Sequence, residues 1–207
     1  MEHRIISTPF FFEKEAVIVN QLFELGLTLF HLRKPNSSKH ECQTLLNKID
    51  VSFYSRIIVH QHPSLIQEYG LGGWHLKEGI RQKMSRSELD NLISDYNNKK
   101  LLIGTSVHKR KSLIDLNMDF DYVLISPVFQ SISKPDYGPS IDWTLSDIDL
   151  SIKLIALGGV GTNTLEKAQK MGFREVAFLG AVWQDSNNVL KNYSILCKQM
   201  IKLDLMS

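Results

Sequence analysis

Cysteine is nearly missing from this chain: Cys42 and Cys197 are its only two, far apart in sequence. No disulfide framework is expected, and the pair suits reduced thiols in a cytoplasmic protein. Also missing is any apolar run near the roughly 20 residues that a transmembrane helix needs. The start, Met1-Glu-His-Arg-Ile-Ile6, has neither the charged nor the apolar region of a secretory signal, so export is not expected. Charge of one sign is scarce as well. Basic residues number 24 and acidic residues 22, and the resulting +2 argues for neither nucleic acid nor membrane as a partner. No linker or low-complexity tract divides the 207 residues, so a single domain over 1–207 is expected.

What is present is a repeat. Eight short apolar segments rich in branched residues read as strands. They are Arg4–Thr8, Thr28–Leu32, Arg56–His60, Gly73–Leu76, Leu101–Ser106, Asp121–Ser126, Lys153–Leu157 and Glu175–Gly180. Between them lie amphipathic stretches: Glu13–Leu25 before Gly26, Ser38–Ile49, Ser85–Tyr96 with a Ser85/Glu88 capping box, Lys109–Leu116, Thr162–Met171 before Gly172, and Ser186–Leu203. The weakest units are a short helix at Pro63–Tyr69 and Ser140–Leu150, which reads mostly as loop. Strands alternating with helices argue a parallel sheet, and eight units argue closure into an α/β fold, the (β/α)8 TIM barrel. Strand seven stops at Leu157-Gly-Gly159 and strand eight at Leu179-Gly180. Glycines after the last two strands are how such barrels let backbone N–H groups close on a phosphate.

In a barrel of this kind the chemistry sits at the C-terminal strand ends. Strand two ends His31-Leu32-Arg33-Lys34, and residues two apart share a face, so His31 and Arg33 point the same way. Strand three ends His60-Gln61-His62, strand four His75-Leu76-Lys77, and strand five Ser106-Val107-His108. Strand six runs into Ser126-Pro-Val-Phe-Gln-Ser131-Ile-Ser133-Lys134, where two hydroxyls beside one ammonium could grip an anion. The loop from Gln130 to Tyr137 reads as a lid. His31, His60, His62 and His75 could in principle gather around zinc. Neighbouring strands are expected to alternate face and no carboxylate-rich motif accompanies the histidines, so no metal centre is assigned to them.

Taken in order, these pieces resemble the thiamine phosphate synthase family, including its close relative the thiazole tautomerase TenI. The resemblance rests on His31-Leu32-Arg33, Gly73-Trp74-His75-Leu76 and Ile103-Gly104-Thr105-Ser106-Val107-His108. It continues through Asp121-Tyr122-Val123, Pro127-Val128-Phe129-Gln130-Ser131-Ile132-Ser133-Lys134 and Ala156-Leu157-Gly158-Gly159-Val160. It implies that hydroxymethylpyrimidine pyrophosphate is coupled to thiazole phosphate, giving thiamine phosphate and pyrophosphate. The pyrophosphate would leave first, and the thiazole nitrogen would capture the pyrimidine cation. By the same resemblance Arg33 and Lys134 would hold the pyrophosphate and Ser106 would contact the pyrimidine. His31 and His60 would line the substrate site. Ser131, Ser133, Gly158, Gly159 and the Leu179-Gly180 turn would hold the thiazole phosphate. The partners implied are small phosphorylated molecules; a homo-oligomer is left open.

The departures are specific. Pro35 stands where the family has a lysine. The family's magnesium aspartate on strand three is Gln61 here, and its second aspartate falls near Gly79 or Ile80, with Glu78 the only nearby carboxylate. Mg2+ takes hard oxygen ligands, usually carboxylates with phosphate and water, so its hold should weaken and leaving-group stabilisation should fall. The tautomerase's strand-six histidine aligns with Pro127, which transfers no proton; His60, His62 or His108 would have to replace it. TenI-like tautomerisation and thiazole phosphate binding without turnover therefore stand as alternatives to the transferase.

Overall fold

In the computed structural model, residues 1–114, 116, 119–130, 138, 143, 145 and 152–205 are described. Its strands are β1 (Glu2–Ile6), β2 (Leu29–Leu32), β3 (Ile57–Val59), β4 (Gly73–Leu76), β5 (Leu102–Val107), β6 (Tyr122–Ile125), β7 (Lys153–Ala156) and β8 (Glu175–Phe178). Each pairs in parallel with its successor, and β8 returns to β1, so the sheet is a closed barrel. Its helices are α1 (Glu15–Glu24), α2 (Lys39–Leu46), α3 (Ser64–Tyr69), α4 (Glu78–Arg81), α5 (Arg86–Asn98), α6 (Arg110–Ile114), α7 (Leu165–Lys170), α8 (Gly180–Trp183) and α9 (Val189–Asp204). Among the described residues no helix is long and apolar enough to cross a membrane.

All eight expected strands are present, and local chemistry accounts for the shifted helix ends. Both α2 and α5 begin at capping boxes, Ser38 with Glu41 and Ser85 with Glu88. Helix α1 starts two residues later than its apolar pattern suggests, because Lys14 adopts a left-handed conformation just before it. Helix α7 starts at Leu165 because the Thr164 hydroxyl is engaged in the preceding turn, donating to the Gly159 carbonyl at 2.8 Å and accepting from the Gly161 N–H at 2.9 Å. Helix α9 is delayed to Val189, since the Asp185 carboxylate accepts from the Asn187 N–H and the Asn188 amide and holds a turn there. The short helices α4 and α8 carry no apolar periodicity long enough to read from sequence.

Most of the core lies between strands and helices. A smaller cluster fills the barrel itself: Ile6, Tyr122, Leu124, Ile155 and Ala177. Arg4 and Glu175 stand two residues before Ile6 and Ala177 on their strands, so they share that inward face. They pair at 2.7 Å, with the Arg4 guanidinium also 4.4 Å above the Tyr122 ring. Gly104 is required beneath that ring, because a Cβ there would come within 2.1 Å of it. A polar floor thus closes one end of the barrel interior, and the other end carries the functional side chains.

Candidate active site

Register explains which strand-end residues meet. Leu32 pairs with Val59, Val59 with Trp74, and His75 with Gly104. Arg33, His60 and His75 therefore form one row across β2, β3 and β4, with His31 one step deeper. The expectation that neighbouring strands would alternate face does not hold here. In a parallel barrel, residues at matching register point the same way, and three histidines meet inside. His31 Nδ1 lies 3.0 Å from His60 Nε2, and the His60 and His75 rings stack with centroids 4.2 Å apart. His75 Nε2 is 2.7 Å from the Ser106 hydroxyl and its Nδ1 3.3 Å from the Tyr122 hydroxyl. His31 Nε2 is buried with no partner.

Burial, first, and then nearby positive charge hold these imidazoles neutral. His75 is lowered to about 3, with Arg4 and Arg33 the leading charges after burial. His31 and His60 also lie well below the ordinary imidazole range, His31 through burial and Arg4, His60 through burial and its two histidine neighbours, with Arg33 and Lys77 adding to it.

Above the histidines the mouth is cationic. The Arg33 backbone is tied to Ser7, its N–H donating to the Ser7 hydroxyl at 2.9 Å and its carbonyl accepting from it at 3.0 Å. Its guanidinium is partly buried and its pKa is lowered by that burial. Lys77 is likewise lowered, by burial and then by Arg33. Among the described residues no carboxylate pairs with either side chain. Sequence reading missed Lys77 as a site residue. The signal was available, since it stands two residues after the inward His75, as Arg33 stands two after His31.

Other expected residues fall elsewhere. Lys34, adjoining the missing family lysine, is buried away from the mouth against Glu15 at 2.6 Å. His62 leaves the cluster, with Nε2–H donating to the Ser37 carbonyl at 2.8 Å. His108 donates from Nδ1 to the Ser126 carbonyl at 2.7 Å, which fixes its tautomer, and turns Nε2 toward Glu78 at 3.9 Å. Ser131, Ser133, Lys134 and nearly all of the proposed lid lie outside the described residues, as does most of Ser140–Leu150.

The glycine turn after β7 lies on the same rim. Gly158 and Gly159 have φ values of +90° and +65°, and a Cβ on Gly159 would meet the Gln130 carbonyl at 2.2 Å. The turn is stitched to the segment after β6 by Val128 N–H donating to the Leu157 carbonyl at 2.9 Å and Phe129 N–H to the Gly158 carbonyl at 3.0 Å. After β8, Leu179 leads directly into α8 at Gly180. Gly159→Ala should lower the unfolding free energy by about 1–3 kcal/mol from strain alone, to be read from a urea titration. An unchanged midpoint would show that the turn relaxes freely.

Residues 5–182 match the family model described as thiamine monophosphate synthase. The chain belongs to that family. Thiamine monophosphate synthase relatives include the thiamine-phosphate synthase of Staphylococcus haemolyticus, 26% identical over 181 residues and covering 82% of each chain. The enzyme of the same name from Lysinibacillus sphaericus is 24% identical and covers 84% of each. The solved thiamine phosphate pyrophosphorylase of Bacteroides thetaiotaomicron superposes with a TM-score of 0.71 at 27% identity, covering 97% of this chain and 98% of that one. The Pyrococcus furiosus pyrophosphorylase, at 19% identity and a TM-score of 0.72, bears on the fold alone. This chain is thus a thiamine-phosphate-synthase-like protein of thiamine biosynthesis.

Proposed function

We propose that this barrel is a transferase joining hydroxymethylpyrimidine pyrophosphate to thiazole phosphate. The observation that carries the reading is the juxtaposition of two cations, Arg33 and Lys77, that have no carboxylate partner among the described residues, on the rim that also bears the Gly158-Gly159 turn. Positive charge held without a counter-ion suits a polyanionic leaving group, because its stabilisation grows as the bond breaks. Arg33, with Lys134 from the sequence beyond β6, would grip the pyrophosphate. Ser106, oriented by His75, would face the pyrimidine, and the neutral walls of His31 and His60 would keep water from its cation. Gly158, Gly159, Ser131, Ser133 and the Leu179-Gly180 turn would take the thiazole phosphate.

The residues at the family's magnesium positions do not fit that ion. The single oxygen of Gln61 already accepts from the Lys34 N–H at 2.9 Å, and its amide nitrogen is buried without a partner. Glu78 is left as one carboxylate, shared with Arg81 at 3.5 Å. Mg2+ is a hard cation that favours carboxylates, phosphate and water, and these two residues do not supply that set. The protein is read as cytoplasmic, with small phosphorylated molecules as its partners.

Incubating both substrates with and without Mg2+ tests the reading. Thiamine phosphate should form, and Arg33→Ala should reduce kcat by roughly 10²-fold, the scale of losing one transition-state donor. Thiazole phosphate binding without product would leave a binding protein. Conversion of the thiazole tautomer alone would assign proton transfer to a histidine, with His108, whose Nε2 lies 3.9 Å from Glu78, the candidate.

A further inference from the structure

We propose that His31, His60 and His75 form a binding site for a borderline transition-metal ion of the zinc class, separate from the magnesium positions and built from side chains that also line the pocket of the transferase reading. One nitrogen from each ring lies within 4.8 Å of those of the other two. Nitrogens around one tetrahedral ion at ~2.0–2.1 Å stand ~3.4 Å apart, so small ring rotations close the set. Their side chains are on three successive strands of a rigid barrel, at 0%, 5% and 1% exposure.

Three features point to a ligand rather than a packed core. His31 Nε2 is fully buried and donates to or accepts from nothing. Whichever ring donates in the His31–His60 contact, His31 Nε2 is left either as an unused lone pair or as an unused N–H. His75 already has the outer contact that ligating imidazoles use, its Nδ1 against the Tyr122 hydroxyl, which burial keeps protonated. The imidazoles are neutral, as ligands must be, so binding displaces little proton.

The surroundings restrict the fourth ligand. Arg33 and Lys77 approach from the mouth and Arg4 from below, and three neutral ligands leave the ion its full double charge. A fourth ligand carrying negative charge would offset this, and the mouth is the open side. The ion should therefore be held more tightly with an oxyanion than with water. Magnesium is excluded from this site by its preference for oxygen, whereas imidazole suits zinc and cobalt.

Cobalt is the probe, because four-coordinate Co2+ shows visible ligand-field bands. Full-length protein stripped with a chelator should bind one Co2+ per chain, with bands that inorganic phosphate strengthens. The polar, near-isosteric replacements His31→Gln and His60→Asn together should weaken binding at least tenfold, while His62→Ala leaves it unchanged. No bands and no heat with the parent protein would overturn the site. So would equal affinity in the double variant, or loss of binding on His62→Ala. Because the parent titration alone can overturn the site, poor folding of a variant does not rescue it.

Discussion

Replacing Lys34 by Met should cost the fold about 3–5 kcal/mol, the scale of leaving one buried charge without its partner. Lys34 and Glu15 are each 1% exposed in their side chains. The ammonium donates to both Glu15 oxygens, at 2.6 and 2.8 Å, and to the Phe10 carbonyl at 2.7 Å. It also sits 4.6 Å above the Phe11 ring. Methionine keeps the stem and removes the charge, so Glu15 would be left ionised in an apolar pocket. Burial already pushes the Glu15 carboxyl upward against the pull of Lys34. Without Lys34 it would take up a proton, and the deficit should shrink as pH falls toward the ordinary carboxylate value. The double variant Lys34→Met/Glu15→Leu should recover most of the loss, since a matched apolar pair avoids both desolvation penalties. Urea midpoints for the three proteins decide it. A single variant within ~0.5 kcal/mol of the parent would mean the pair is solvated, against its burial.

This pair also shows where sequence reading stopped. Lys34 adjoins Arg33 in a strand-end motif, and nothing in the motif distinguishes a substrate-facing lysine from a structural one. The difference is parity. Arg33 follows His31 by two and shares its inward face, whereas Lys34 turns outward toward α1, where Glu15 waits. The strands were legible because each is a short apolar run followed within two residues by a polar or glycine residue. The glycine turn after β7 was legible because only glycine tolerates its φ values and close approach. The histidine cluster was not, because its formation depends on register across β2, β3 and β4. Register is a property of the closed sheet and leaves no mark within any one strand.

Acid should unfold the metal-stripped protein earlier than an ordinary domain, with the three clustered histidines the main cause and His3 adding to it. In the unfolded chain each imidazole titrates near 6.5. In the fold His75 is held to about 3, and His31 and His60 also lie well below their ordinary value. Above pH 6.5 both states are neutral and the cluster has no effect on stability. Below it the unfolded chain binds protons that the fold refuses, so stability falls as pH falls, and the loss continues until the folded values are reached. The slope approaches ~1.4 kcal/mol per pH unit for each imidazole, or ~4 for three, and the accumulated loss at pH 5 is ~6 kcal/mol. That is comparable to the whole stability of many domains. Glu15, raised by burial, titrates with the opposite sign, so the comparison should be made against His31→Gln/His60→Asn. That variant should lose about half of the histidine-dependent slope between pH 6.5 and 5, because His3, lowered to about 4 mainly by burial, titrates alongside the three. Parallel pH profiles for the two proteins would mean that the folded cluster accepts protons, and the neutral imidazoles on which the site geometry depends would have to be abandoned.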